Sequence, residues 1–163
     1  MIFKPRQKGS SLKNLLKLKD GEFYVGVFRG EPSTFYQHWV GNHSDLCTRN
    51  DEGGCEHCRN GDKGSYRFRV NIIGNEGGDL VARVFEGGAK VYDQLVGLGQ
   101  EYDLANHRVK ISRSGSDKSN TTYSIVPAKD GLLSKELAEK YSRVTLTPFD
   151  GSEAPLSNED IPF

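Results

Sequence analysis

SYRFRVNIIG (65–74) is the stretch whose period decides the fold class. Tyr66, Phe68, Val70 and Ile72 fall on one side of an extended chain, and Arg67, Arg69 and Asn71 on the other, the pattern of a half-buried strand. NEGGD (75–79) follows as a turn, and LVARVFEGG (80–88) reads as the return strand. In AKVYDQLVGLGQE (89–101) the period changes: Val91, Leu95 and Leu98 share one helical face, and Gly99 is a stop signal. Upstream, GEFYVGVFRG (21–30) and FYQHWV (35–40) are rich in aromatic and β-branched residues, with Gly41-Asn42 as a turn after the second. Downstream, HRVKISRSG (107–115) and TTYSIVPA (121–128) form a hairpin around a polar loop, and LLSKELAEKYSR (132–143) reads as a short helix.

Several short strands, one interior helix late in their order and no βαβ alternation favour a small barrel over a sandwich. The expected architecture is mainly β, an OB-type five-stranded barrel with one or two short helices, the main one between the third and fourth principal strands. A length of 163 residues suits one domain, and 35% apolar content with 19 glycines implies a modest core with many turns. No apolar run is long enough to suggest a membrane span, and MIFKPRQKG lacks a secretory apolar stretch, so a cytoplasmic, reducing compartment is expected.

The formal net charge of zero hides an asymmetry. All 22 Lys and Arg lie in residues 1–143, whereas the last twenty residues carry only Asp150, Glu153, Glu159 and Asp160. The first 19 residues hold Lys4, Arg6, Lys8, Lys13, Lys17 and Lys19 and no acid. The expected organisation is a flexible basic arm (1–14), a folded domain (15–146) and a disordered acidic tail (147–163). Such a layout suits a polyanionic partner and a tail that competes with it.

All three cysteines lie in CTRNDEGGCEHC (47–58). Cys55 and Cys58 have the spacing that fills two corners of a metal tetrahedron from one turn, and Cys47 offers a third. The fourth ligand should be a histidine. His57 sits inside the Cys-x-x-Cys loop and His107 is remote in sequence. A two-residue hairpin loop would pair Val40 with His43, His38 with Asp45 and Tyr36 with Cys47. That register places 38, 43 and 47 on one face and leaves His38 and His43 both open. A complete set of one histidine and three cysteines leaves no position for water, so the expected cofactor is one structural Zn²⁺ in a subdomain spanning 38–64.

Aromatic and basic residues interleave along the strands. Phe35, Tyr36, Trp39 and Tyr66 are candidates to stack bases, and Arg67, Arg69 and Arg83 to hold phosphates, although core packing competes for any one ring. Walker, GxSxG and HExxH patterns are absent, so the chain reads as a binder and not an enzyme. EDIPF (159–163) sets the ring of Phe163 beside the α-carboxylate after Asp160, Ile161 and Pro162, a form that an apolar pocket with a basic rim can grip.

The tail resembles the C-terminal tip of bacterial single-stranded-DNA-binding proteins, which end in acidic residues followed by Ile-Pro-Phe. The body resembles the zinc-containing single-stranded-DNA-binding proteins of tailed phages, through FYQHWV (35–40), Cys47, CEHC (55–58), YRFRVNII (66–73), AKVYDQLVGL (89–98) and the 102–128 hairpin. That resemblance implies an OB fold and a ligand histidine on a strand well before the first cysteine, hence His38. It also implies sequence-tolerant single-stranded DNA binding in phage replication, recombination and repair, within the cytoplasm of an infected bacterial cell. Lys4, Arg6 and Lys8 would belong to an arm that promotes self-association along the strand. Asp160, Ile161, Pro162 and Phe163 would recruit host replication and recombination proteins. The competing expectation is a zinc-containing protein-binding adaptor or transcription co-regulator that does not touch nucleic acid.

Overall fold

The computed structural model describes residues 14–117 and 120–149. In chain order the elements are β1 (Phe23–Val40), β2 (His43–Leu46), α1 (Glu56–Arg59), β3 (Ser65–Glu76), β4 (Asp79–Gly88), α2 (Ala89–Glu101), β5 (His107–Ser114), β6 (Thr122–Leu132) and α3 (Lys135–Ser142). The strands form one antiparallel six-stranded sheet in the order β4-β3-β1-β5-β6, with β2 paired to the far end of β1. Among the described residues no ladder joins β4 to β6, so the sheet is open. It is nonetheless strongly curled, because the rings of Phe85 on β4 and Tyr123 on β6 lie 5.9 Å apart. Inside the curl, Phe28, Phe68, Val70, Ile72, Phe85, Val109, Ile111 and Ile125 form the main core, and α2 closes one end with Val91 and Leu95.

GEFYVGVFRG and FYQHWV form one strand, where the sequence suggested two. The register of β1 against β3 shifts between Arg29 and Ser33, and Gly30 sits there with φ +83°. The Gly-Glu-Pro sequence is therefore a bulge that bends one strand rather than a turn that ends it. Phe23–Gly26 of β1 pair with β5 and, from Gly26 to Gln37, the strand pairs with β3, so it ties the two halves of the sheet together. The helix α2 runs two residues past Gly99, the expected stop.

Both outer edges are occupied. Against β4, Leu16 N–H donates to the Val84 carbonyl (2.8 Å), and Val84 N–H donates to that of Asn14 (2.9 Å). Against β6, the Gln94 side chain of α2 acts as a surrogate strand. Its Nε2 donates to the Tyr123 carbonyl (2.9 Å), and its Oε1 accepts from Ile125 N–H (3.1 Å). Buried or half-buried edge groups that would otherwise need water or a neighbouring chain are thereby satisfied.

The alternation of β3 implied one covered face and one wet one, yet residues 67–73 are buried throughout. The second face is covered because α3 and residues 144–149 fold across it. Val27, Ile73 and Ala82 meet Leu133, Leu137, Tyr141 and Leu146. Thr147 N–H donates to Asn71 Oδ1 (2.9 Å), Asn71 Nδ2 donates to the Thr147 carbonyl (3.0 Å), and Thr147 Oγ1 donates to the Ala82 carbonyl (2.9 Å). Phe149 packs with Trp39, Leu15 and Val84. The expected disordered tail from 147 is thus corrected: 147–149 belong to the folded domain. No described helix is long and apolar enough to cross a membrane.

Replacing Gln94 by Leu removes both bonds to β6 while keeping the helix and its volume. We expect a stability loss of about 1–2 kcal/mol, the cost of two weakened backbone partners. Amide exchange should show protection lost first at Ile125.

Candidate metal centre

β1 and β2 form the hairpin that carries the first two site residues. Its register pairs Val40 with His43 and His38 with Asp45, and Cys47 N–H donates to the Tyr36 carbonyl (2.8 Å). The chain then returns through α1, whose N-cap is Cys55 and whose third residue is Cys58. His38, Cys47, Cys55 and Cys58 converge so that one ligand atom from each lies within 4.8 Å of the others. His38 Nε2 is 3.5 Å from Cys55 Sγ and 3.5 Å from Cys58 Sγ, and Cys47 Sγ is 3.5 Å from Cys58 Sγ. A tetrahedron with zinc–sulfur and zinc–nitrogen bonds of ordinary length has edges of about 3.5–3.8 Å. The four donors therefore enclose a volume that fits one such ion.

The hairpin places only one of the two histidines with the cysteines. His38 is 0% exposed and directs Nε2 at the sulfurs. His43 lies outside the cluster: its side chain is 53% exposed and faces Asn42 and Asp45. Although they share a strand face, the turn carries His43 out beyond the end of the loop that returns the cysteines. His57 is used differently: its Nε2 meets Asp45 Oδ2 at 2.9 Å and ties α1 to β2.

Three thiols and an imidazole in contact disturb one another's protonation. The Cys55 thiol is brought down to about 5, first by the backbone N–H of Cys58 and then by that of Thr48. Cys58 is pushed up to about 11 by burial and by the adjoining sulfurs. For Cys47, burial opposes ionisation, but the Arg49 side chain and backbone N–H outweigh it and the pKa falls. The three thiols thus differ in how readily they ionise, an arrangement compatible with one metal site.

Two surrounding residues were not identified from the sequence. Asp62 Oδ1 faces His38 Nδ1 at 3.4 Å, favouring the tautomer that leaves Nε2 free to ligate. Arg49 donates through Nε to Cys47 Sγ (3.0 Å) and through Nη2 to the Lys63 carbonyl (2.7 Å). Gly64 closes the loop at φ +73°, and a Cβ there would stand 3.1 Å from His38 Cε1, so only glycine fits comfortably. The clue for Arg49 was its place two residues after a cysteine; the polar RNGDKG run around Asp62 carried no comparable signal.

The expected DNA contacts are distributed otherwise than the alternation suggested. Arg67 and Arg69, expected on a wet face, are buried and share Glu86: Arg67 Nε lies 3.3 Å from Oε1 and Arg69 Nε 3.5 Å from Oε2. Arg83 makes a two-pronged pair with Glu76, at 2.9 and 2.7 Å. Trp39 is half-buried in the Phe149 cluster, Phe35 lies beneath the Arg69 guanidinium, and Tyr66 sits between Tyr36 and Tyr92. Of the expected rings, Tyr36 is the most open. Lys4, Arg6 and Lys8, together with Asp160, Ile161, Pro162 and Phe163, lie outside the described residues. Comparison of the chain with protein-family models, curated proteins and solved structures finds no match, so the site is read from its geometry.

Replacing Asp62 by Ala should weaken metal binding about 10–100-fold through loss of the imidazole's orienting partner. His43→Ala should leave it unchanged, and His38→Ala should abolish stoichiometric binding. Competitive titration with a chromophoric chelator distinguishes the three. Because Cys58 is protonated at neutral pH without metal, loading at pH 7 should release about one proton or more per ion, and affinity should fall as pH falls.

Proposed function

We propose that the chain is a zinc-braced, OB-type domain that binds single-stranded DNA without sequence preference, and that it is a binder rather than an enzyme. The strand order supports the OB reading. β4-β3-β1-β5-β6 is the order of a five-stranded barrel opened along one seam, with α2 between its third and fourth principal strands. Phe85 and Tyr123 approach across that seam, and Gln94 bridges α2 to it. Zinc is favoured for the metal by the donor set and its tetrahedral edge lengths, and four protein ligands leave no open position, so its role is structural.

The observation that carries the DNA reading is a series of cation–ring pairs along β1. Lys110 Nζ lies 4.5 Å from the Phe23 ring centre, Arg69 Cζ 4.7 Å from that of Phe35, and Arg49 Cζ 4.1 Å from that of Tyr36. Phe23 is 59% exposed and Tyr36 38%. Exposed rings beside cations suit unpaired bases and their phosphates, which a double helix would not present. Phe23 is a candidate the sequence reading passed over. Arg69 is already committed to Glu86, so Lys110 and Arg49 are the accessible cations of the three.

In the setting that the resemblance suggests, the protein coats DNA during phage replication, recombination and repair in an infected bacterial cell. Its basic arm, with Lys4, Arg6 and Lys8, promotes self-association along the strand. Its tip, Asp160 to Phe163, recruits host replication and recombination proteins.

Metal analysis of purified protein should give one zinc per chain. Titration with oligo-dT should give tight binding in dilute buffer, with a log–log salt slope of about −2 for three phosphate contacts on a single strand. A zinc-loaded protein that ignores oligo-dT at low salt would refute the DNA reading and favour the protein-binding adaptor.

A further inference from the structure

We infer that Arg49 is a stacking platform for one unpaired nucleobase, held flat by the metal centre. The inference rests on the single-stranded DNA reading above and names a site within it. An exposed arginine ordinarily samples many rotamers, but three contacts fix this one. Nε is bonded to Cys47 Sγ at 3.0 Å, Nη2 to the Lys63 carbonyl at 2.7 Å, and the guanidinium carbon lies 4.1 Å from the centre of the Tyr36 ring. Tyr36 is itself backed by the edge-on ring of Tyr66 at 5.5 Å, and Tyr66 by Tyr92 at 5.6 Å. One face of the guanidinium is covered by Tyr36. Arg49 is an exposed residue, which leaves guanidinium surface away from Tyr36 for a base to cover.

A planar, delocalised cation with one open face is a surface on which any base can lie, since every base has a π face. The third nitrogen, Nη1, makes no hydrogen bond with the described residues and is free to meet the adjoining phosphate. Lysine would keep the charge but not the plane. Cys47 is one of the four converging ligands, so binding of the ion fixes the sulfur that in turn fixes Arg49. The metal thereby does more than close a loop: it sets the plane on which the base rests.

The test uses full-length, zinc-loaded protein and two probes of equal length and charge, oligo-dT and an abasic oligonucleotide. Arg49→Lys should weaken oligo-dT binding about five- to a hundredfold, the range of one lost base stack. It should leave abasic binding within twofold of wild type. Tyr36→Leu, which keeps the backbone bond to Cys47 and removes only the ring beneath Arg49, should reproduce that selective loss, and Tyr36→Phe should not. Binding of oligo-dT by both Arg49→Lys and Tyr36→Leu within twofold of wild type would overturn the inference. An equal loss on both probes would also overturn it, since Arg49 would then be a phosphate contact only. Failure of the wild type itself to bind either probe would remove the DNA reading, and this inference with it.

Discussion

Three sulfurs and an imidazole nitrogen in mutual contact are the constraint on which the far end of the sheet depends. Brought together without a cation, they leave one thiol protonated near 11 beside another that ionises near 5. A divalent cation held there would relieve that conflict by accepting one lone pair from each of the four donors. The lobe has little core of its own: between residues 41 and 64 only Ser44 and Cys55 are buried. A segment of that length with no aliphatic interior cannot recover the entropy of its own ordering by hydrophobic burial. The convergence of His38, Cys47, Cys55 and Cys58 takes the place of a core, and the contact of Asp45 with His57 adds a second tie between the hairpin and α1.

The sheet proper needs no such aid. Its interior is filled by Phe28, Phe68, Phe85, Ile72 and Ile111, and its outer face is covered by α3 and the 144–149 segment. The cost of covering that face is that Arg67, Arg69 and Glu86 are taken from water together. Buried ion pairs contribute little net stability, because desolvation offsets attraction. Their effect is positional: Glu86 fixes two guanidinium groups, and one of these fixes the ring of Phe35. Residues that look like phosphate contacts in the sequence act here as internal cross-links between β3 and β4.

How far the sequence was legible follows from what each signal measures. Period two over 65–74 and period 3.6 over 89–101 report which residues share a side, and both gave the right element. They cannot report whether a later segment returns to cover the second side, which is why Arg67 and Arg69 were assigned to solvent. Gly30-Glu31-Pro32 has the composition of a turn, and only pairing with β3 on both sides makes it a bulge. The cysteine spacing was legible because chelation imposes its own geometry on a few adjacent residues. The histidine was not, because His38 and His43 differ only in how far the hairpin carries them from the returning loop. Thr147 was lost in a run of Pro, Gly and acids, where a single pairing with Asn71 outweighs composition.

β1 joins these two regimes. Its first residues pair with β5, its middle crosses the hydrophobic core, the bulge at Gly30 turns it, and its last turn of chain delivers Tyr36 and His38 to the metal lobe. Neighbouring residues on this strand point to opposite faces, so Tyr36 and His38, two apart, share one. An exposed ring and an imidazole directed at two cysteine sulfurs are therefore placed by the same stretch of backbone. Arg49 closes the circuit from the other side, since it touches both the Cys47 sulfur and the Tyr36 ring. A shift of the Cys47 backbone reaches Tyr36 through one hydrogen bond, and a shift of His38 reaches it across two residues of the same strand. The geometry of the His38–Cys47–Cys55–Cys58 cluster and the placement of the exposed Tyr36 ring are therefore coupled in this fold.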